Sequence, residues 1–139
     1  MADGWVLIDT SAWIHALRPT GDALVREQVR HLLAEGRAAV CEMIILELAG
    51  GTRTEGEYQE LCEDLEALQQ FPITASDWRS AYWMAHTARR KGLSIPATDH
   101  LIAAVAVNYP CRLLHRNKHF DLLARHVELP IWKPSLATY

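Results

Sequence analysis

Short unbroken apolar runs alternate along this chain with stretches of helical spacing, the signature of strands and helices taken in turn. Trp5-Val6-Leu7-Ile8 predicts a buried strand, bounded by Asp3-Gly4 before and Asp9-Thr10-Ser11 after. A short helix is expected over residues 12–17, then a break at Arg18-Pro19-Thr20-Gly21-Asp22. Val25, Val29, Leu32 and Leu33 recur at helical spacing, with Arg26, Glu27, Arg30 and Glu35 on other faces, and Gly36 is a natural stop. Residues 38–41 read as a second strand. Residues 43–49 read as a helix ending at Gly50-Gly51. Tyr58, Leu61, Cys62, Leu65 and Leu68 outline an amphipathic helix, and Phe71-Pro72-Ile73 a short extended piece. Thr74 or Ser76 caps the next helix, whose inner face is expected at Trp78, Ala81, Tyr82, Ala85 and Ala88, and Gly92 ends it. Pro96 and Thr98 open another, with Leu101, Ile102, Val105 and Ala106 inward and Pro110 after its end. Residues 112–115 predict a strand. Residues 121–126 predict a helix with Leu122 and Leu123 inward. Leu129-Pro130-Ile131-Trp132 is a last edge strand, where proline is tolerated.

Strands alternating with helices imply an α/β fold, a mainly parallel central sheet flanked by helices on both faces. At 139 residues, with no internal repeat or linker, one domain over residues 1–139 is expected. In such sheets ligands bind outside the carboxyl ends of the strands. That rule singles out Asp9, at the end of the first strand, Glu47, about two turns into the helix after the second, and Asp99, in the first turn of a later helix. Asn117 follows the strand ending near His115 and can reach the same edge.

A carboxylate among apolar neighbours is costly unless something pairs with it. Three of them suggest a shared partner, and a divalent cation is the simplest. Hard oxygen ligands favour Mg²⁺ or Mn²⁺ over zinc. Such a site lowers the pKa of a bound water, aims it at phosphorus and neutralises the leaving oxygen, which is the chemistry of phosphodiester hydrolysis. Ser11 is placed to orient a carboxylate or to bind phosphate through its hydroxyl. Thr98 can cap its helix and fix Asp99.

Composition narrows the partners. Half the residues are apolar and 22% are charged, as in ordinary soluble domains. A formal charge of −3 rules out nucleic-acid binding by bulk attraction, so any such contact needs a local basic patch. Arg116 and Lys118 flank the expected site and are the candidate phosphate contacts; Arg89-Arg90-Lys91 reads as a solvated face. Trp13, Trp78 and Trp83 read as core or interface, and His86, His100 and His115 as solvated or hydrogen-bonded. Cys41, Cys62 and Cys111 show no Cys-x-x-Cys pair and read as reduced core thiols of a cytosolic protein. No signal peptide is visible, and the longest apolar run, residues 101–107, is too short to span a bilayer.

Leu7-Ile8-Asp9-Thr10-Ser11-Ala12-Trp13-Ile14, Ile45-Leu46-Glu47-Leu48, Thr98-Asp99-His100-Leu101-Ile102-Ala103-Ala104 and Leu113-Leu114-His115-Arg116-Asn117-Lys118-His119-Phe120 together resemble the successive signatures of PIN-domain ribonucleases. The resemblance is strongest to the VapC toxins of type II toxin–antitoxin pairs, and runs nearly end to end. It implies a PIN-like α/β/α sandwich and an endoribonuclease using Mg²⁺ or Mn²⁺, with Asp9, Glu47 and Asp99 as the metal site. It further implies 5′-phosphate and 3′-hydroxyl products, a VapB-type antitoxin whose tail wraps the toxin, and a homodimer. Residues 12–33 and 58–68 are candidates for the antitoxin groove, and residues 78–88 for the dimer contact. The family places a fourth acid in an Asp-x-Asp-Phe-like stretch, whose matching residues here are Asn117 and His119, before Phe120; His119 reads as an exposed polar residue rather than a general base. Asn117 can still offer a carbonyl oxygen but supplies no charge, so a second metal should bind more weakly, and Asp121 is shifted along the chain. That substitution motivates the alternative, a degenerate PIN module that binds RNA or protein without cutting. A receiver-type phosphotransfer domain would need an acceptor Asp after a middle strand and a late Lys, and neither can be placed convincingly.

Overall fold

The computed structural model describes residues 4–134. Its centre is a sheet of four parallel strands, β1 (Trp5–Ile8), β2 (Ala38–Val40), β3 (Gln69–Gln70) and β4 (Cys111–Leu114), in the order β3-β2-β1-β4. The helices are α1 (Thr10–Leu17), α2 (Ala23–Ala34), α3 (Glu42–Gly50), α4 (Glu55–Glu66), α5 (Ala75–Arg90), α6 (Ala97–Asn108) and α7 (Lys118–Leu123). Val6, Leu7 and Ile8 are all fully buried. Successive strand residues point to opposite faces, so both faces of β1 are covered, as the unbroken apolar run requires. Leu7 sits in register between Ala39 and Leu113, which fixes the middle of the core. The expected α/β/α architecture is therefore present. Among the described residues no helix is long and apolar enough to cross a membrane.

Local chemistry sets the boundaries. Helix α1 starts at Thr10, two residues earlier than the spacing suggests, because Asp9 is its N-cap. Asp22 accepts from the N–H groups of Leu24 and Val25 and starts α2 at once after the break. Gly36, with φ +67°, turns the chain out of α2 toward β2. Between Thr74 and Ser76, the cap of α5 is Thr74. It accepts from the Asp77 N–H at 3.2 Å while the Asp77 carboxylate accepts from the Thr74 N–H at 2.8 Å.

Several expectations need correction. The third strand lies at Gln69–Gln70, just before Phe71-Pro72-Ile73. Phe71 still donates to the Val40 carbonyl at 2.8 Å, and its buried ring stacks on Tyr109 at 4.4 Å. Pro72 has no N–H with which to extend the ladder. The segment around Ile131 forms one isolated parallel bridge to Leu113 rather than a strand. The last helix begins at Lys118 and ends at Leu123, and Phe120 joins Leu123 inside it. On α5 the buried residues are Asp77, Ala81, Met84 and Ala88; Trp78 and Tyr82, expected inward, are exposed, and so is Trp83. Trp13, one helical turn beyond Asp9 and the one tryptophan for which base stacking also came into question, is buried at 5% exposure and belongs to the core. His100 is buried and its Nδ1 has no hydrogen-bond partner, contrary to the solvated or bonded reading. Cys41, Cys62 and Cys111 are free thiols, and Cys41 is buried.

Candidate active site

Chain direction places the acids at one rim. Asp9 is the first residue after β1, Glu47 lies within α3, which follows β2, and Asp99 lies in the first turn of α6. Asp9 and Asp99 are both buried, at 2% and 6% exposure, and Glu47 is half-buried. All three carboxyls are raised above their ordinary values, and burial is the main cause in each. Glu47 is pushed further up by the charges of Asp9 and Asp99, and Asp99 by that of Asp9. Hydrogen bonds tie the three together: Thr10, the residue after Asp9, donates to Glu47, and the loop after β4, which donates to Ser11 through the Arg116 N–H, reaches Asp99 through Asn117. Three carboxylates from distant parts of the chain thus share one neighbourhood.

Each carboxylate is also held by donors of its own. Asp9 Oδ2 accepts from the Ser11 N–H at 3.0 Å and the Ser11 hydroxyl at 2.6 Å. Thr10 donates its hydroxyl to Glu47 Oε1 at 2.7 Å. Asp99 Oδ2 accepts from the Asn117 amide at 3.2 Å, and His119 Nδ1 lies 3.3 Å from the same oxygen. With these anchors in place, among the described residues no group of three His, Cys, Asp or Glu side chains is arranged as a ready-made metal site. The carboxylates are neighbours turned toward different partners, as like charges would be.

The donor set nevertheless fits a hard divalent cation. It consists of carboxylate oxygens, and Asp9 Oδ1 is buried with no hydrogen-bond partner. A buried, unpaired carboxylate oxygen is expensive to maintain and is rare in folded proteins. A cation held by Asp9, Glu47 and Asp99 would satisfy it.

The remaining predicted residues surround these three. Ser11 donates to Asp9 and accepts from the Arg116 N–H at 2.9 Å, tying the end of β1 to the loop after β4. Asn117 caps α7 by accepting from the His119 N–H at 2.9 Å, so its amide nitrogen, not its carbonyl, faces Asp99. Arg116 is drawn to Asp22 at 3.2 Å, whereas Lys118 is exposed at the start of α7. Asp121 is also exposed, with its carboxylate 3.9 Å from His115 Nε2. Thr98 makes no cap bond to Asp99, and Pro96 occupies the N-cap position of α6. Sequence reasoning passed over Thr10 and undervalued His119. The signal for Thr10 was its place beside Asp9, a hydroxyl in the first turn of α1 at the rim where the strand ends. His119 carried no comparable signal, because only the fold brings α7 to α6.

Residues 6–126 match the PIN domain family. Ribonuclease VapC11 of Mycobacterium tuberculosis is 36% identical over 128 residues, covering 89% of this chain and 95% of that protein. Among solved structures, VapBC2 from Rickettsia felis, bound to a DNA fragment from its promoter, superposes with a TM-score of 0.71 at 20% identity over 92% of this chain and 98% of that one. FitAcB from Neisseria gonorrhoeae gives 0.69 at 19% identity over 92% and 96%. The solved structures share the fold; the sequence match carries the kinship, and by it this chain belongs to the PIN-domain family, among the VapC ribonucleases.

Proposed function

We propose that this protein is the toxin of a type II toxin–antitoxin pair, a metal-dependent endoribonuclease that hydrolyses RNA phosphodiester bonds and works as a single PIN domain over residues 1–139. The observation that carries the reading is the unsatisfied, buried Oδ1 of Asp9 beside Glu47 and Asp99, two carboxyls that the Asp9 charge pushes up. Asp9, Glu47 and Asp99 would hold Mg²⁺ or Mn²⁺. Such a cation, when bound, neutralises phosphate charge and makes a water nucleophilic near neutral pH. The chain's own residues prepare the rim. Ser11 fixes the Asp9 carboxylate, Thr10 aims Glu47, and Asn117 with His119 holds Asp99. Lys118, exposed at the start of α7, would meet an RNA phosphate, and Arg116 would join it by leaving Asp22.

A VapB-type antitoxin is the proposed partner, since the R. felis neighbour is described as VapBC2. Leu17, Leu24 and Leu46 are exposed by 55%, 59% and 64% on α1, α2 and α3, the helices beside the acidic rim. Exposed leucines of this kind suit the apolar face of an amphipathic segment. Tyr58 adds an exposed ring on α4. The Trp78–Tyr82 flank of α5 is the proposed contact of a cytoplasmic homodimer.

Cleavage of total RNA with Mg²⁺ by the wild type, Asp9→Ala and Asp99→Ala is the test. Loss of a ligand is expected to cost more than the roughly 10–100-fold typical of groups that only support ligands, with Ser11→Ala inside that smaller range. Equal cleavage by all the variants would remove these residues from the mechanism. RNA binding without fragments in any metal would mean a binding module instead.

A further inference from the structure

We propose that the Trp83 flank of α5 is a track for single-stranded RNA leading to the acidic rim, an inference that rests on the nuclease reading above. The one acid of α5, Asp77, is buried and hydrogen-bonded to Thr74 and Asn108. The exposed formal charges of α5, Arg79, Arg89 and Arg90, are all positive, and Lys91 follows as the C-cap. The ion pairs among the described residues use none of these cations, whereas Arg30, Arg37 and Arg116 are each paired with an acid. In a chain of net charge −3, this is a local basic strip.

The strip borders a groove of about 620 Å³ between α5 and the segment after α7. Trp83, Met84 and Val127 supply apolar walls; Arg79, Lys91 and His126 are the ionisable groups, and no carboxylate lines it. Trp83 is 67% exposed, its ring covered only in part by His86 at 5.6 Å. An indole left in water beside unpaired cations suits bases that stack and phosphates that pair.

The groove also points the right way. Asn108, the last residue of α6, donates to Asp77 and Ser80 near the start of α5 at 2.8 and 3.2 Å. The two helices therefore run antiparallel, and the Lys91 end of α5 meets the end of α6 that carries Asp99. From Arg79 to Lys91 the helix rises about 18 Å, room for a few nucleotides. A second copy is the rival occupant, since α4 presents Glu55, Glu57, Glu60, Glu63, Asp64 and Glu66 and no basic residue. It would match the charges, yet it gives no reason for an open ring beside a groove directed at the acids.

The test is binding of fluorescein-labelled oligouridylate to the full chain in EDTA, run beside wild-type cleavage of total RNA in Mg²⁺. Trp83→Ala is expected to weaken binding about tenfold, and Trp83→Phe to restore most of it. Arg79→Ala with Lys91→Ala should lower the slope of log affinity against log salt by roughly 1–2. If the wild type cleaves RNA while all these variants bind oligouridylate as it does, the track is wrong and the nuclease reading stands. If the wild type cleaves no RNA, both fall. A drop in mass by sedimentation for Trp83→Ala, with RNA binding unchanged, would make the groove a contact between copies and overturn the proposal.

Discussion

Helices α5 and α6 lie side by side and antiparallel, and the protein uses them in opposite ways. α6 buries every residue from Asp99 to Ala106, as a helix that is apolar all round must. α5 buries a stripe of Asp77, Ala81, Met84 and Ala88 and leaves Trp78, Tyr82 and Trp83 in water. Hydrophobicity alone would turn the aromatic side of α5 inward. Size decides otherwise. The face that α5 turns inward includes the small residues Ala81 and Ala88, both buried, and small residues let a neighbouring helix come close. Indole rings in that seam would hold the helices apart. Sites at the buried end of the range should therefore respond to mutation far more strongly than those on the outer face of α5.

The largest expected effect is in the core. Ile102 on α6 is fully buried. Ile102→Ala removes its packing and leaves a cavity, at a cost of about 2–5 kcal/mol, measurable by urea denaturation at unchanged m-value. A loss below about 1 kcal/mol would mean that α6 is not the closed core helix described above.

A smaller effect of opposite sign is expected at the rim, where Asp99 opens α6. The folded-state pKa values of Asp99, Glu47 and Asp9 are raised, chiefly by burial. Between the ordinary carboxylate range and those higher values the folded chain holds protons that the unfolded chain has lost. Stability in EDTA therefore falls as pH rises through that window. Asp99→Asn and Glu47→Gln should flatten the fall and raise the melting temperature at neutral pH. Added Mg²⁺ should then stabilise the wild type more than either variant, by linkage. Melting curves against pH, with and without metal, check both halves. Unchanged pH slopes in the variants would remove repulsion between carboxylates from the account of this rim.

Much of this was legible in the sequence, and the boundary of legibility has physical causes. The strand Trp5–Ile8 announced itself because a strand covered on both faces has no polar position. The acids stood out because carboxylates such as Glu47 interrupt apolar runs. The donors that hold them were harder to see. Thr10 finds Glu47 across 37 residues, and His119 reaches Asp99 only after α7 has docked. Local periodicity carries no information on such pairs. The edges of the sheet blurred for another reason: β3 is two residues long and Ile131 makes a single bridge, so no alternating pattern is long enough to read. The facing of α5 was misjudged because a period of 3.6 identifies a stripe, while the neighbour's side chains determine which of two stripes goes inside.

Tyr82 isolates that last point, and it carries the smallest expected effect. The aromatic reading of α5 places its ring inside; the structure leaves it 65% exposed, with Trp78 a turn away at 6.4 Å. If the ring were core, Tyr82→Ser would open a cavity and bury a hydroxyl, at a cost on the scale of other large-to-small core changes, several kcal/mol. On the solvent face of the monomer, measured at a protein concentration low enough to keep the proposed dimer apart, the same change should stay within about 0.5 kcal/mol. Denaturant midpoints separate these cases by an order of magnitude in free energy. A large loss would mean that α5 is rotated about its axis, and the Trp83 groove would close with it, because Tyr82 and Trp83 are adjacent and turn together.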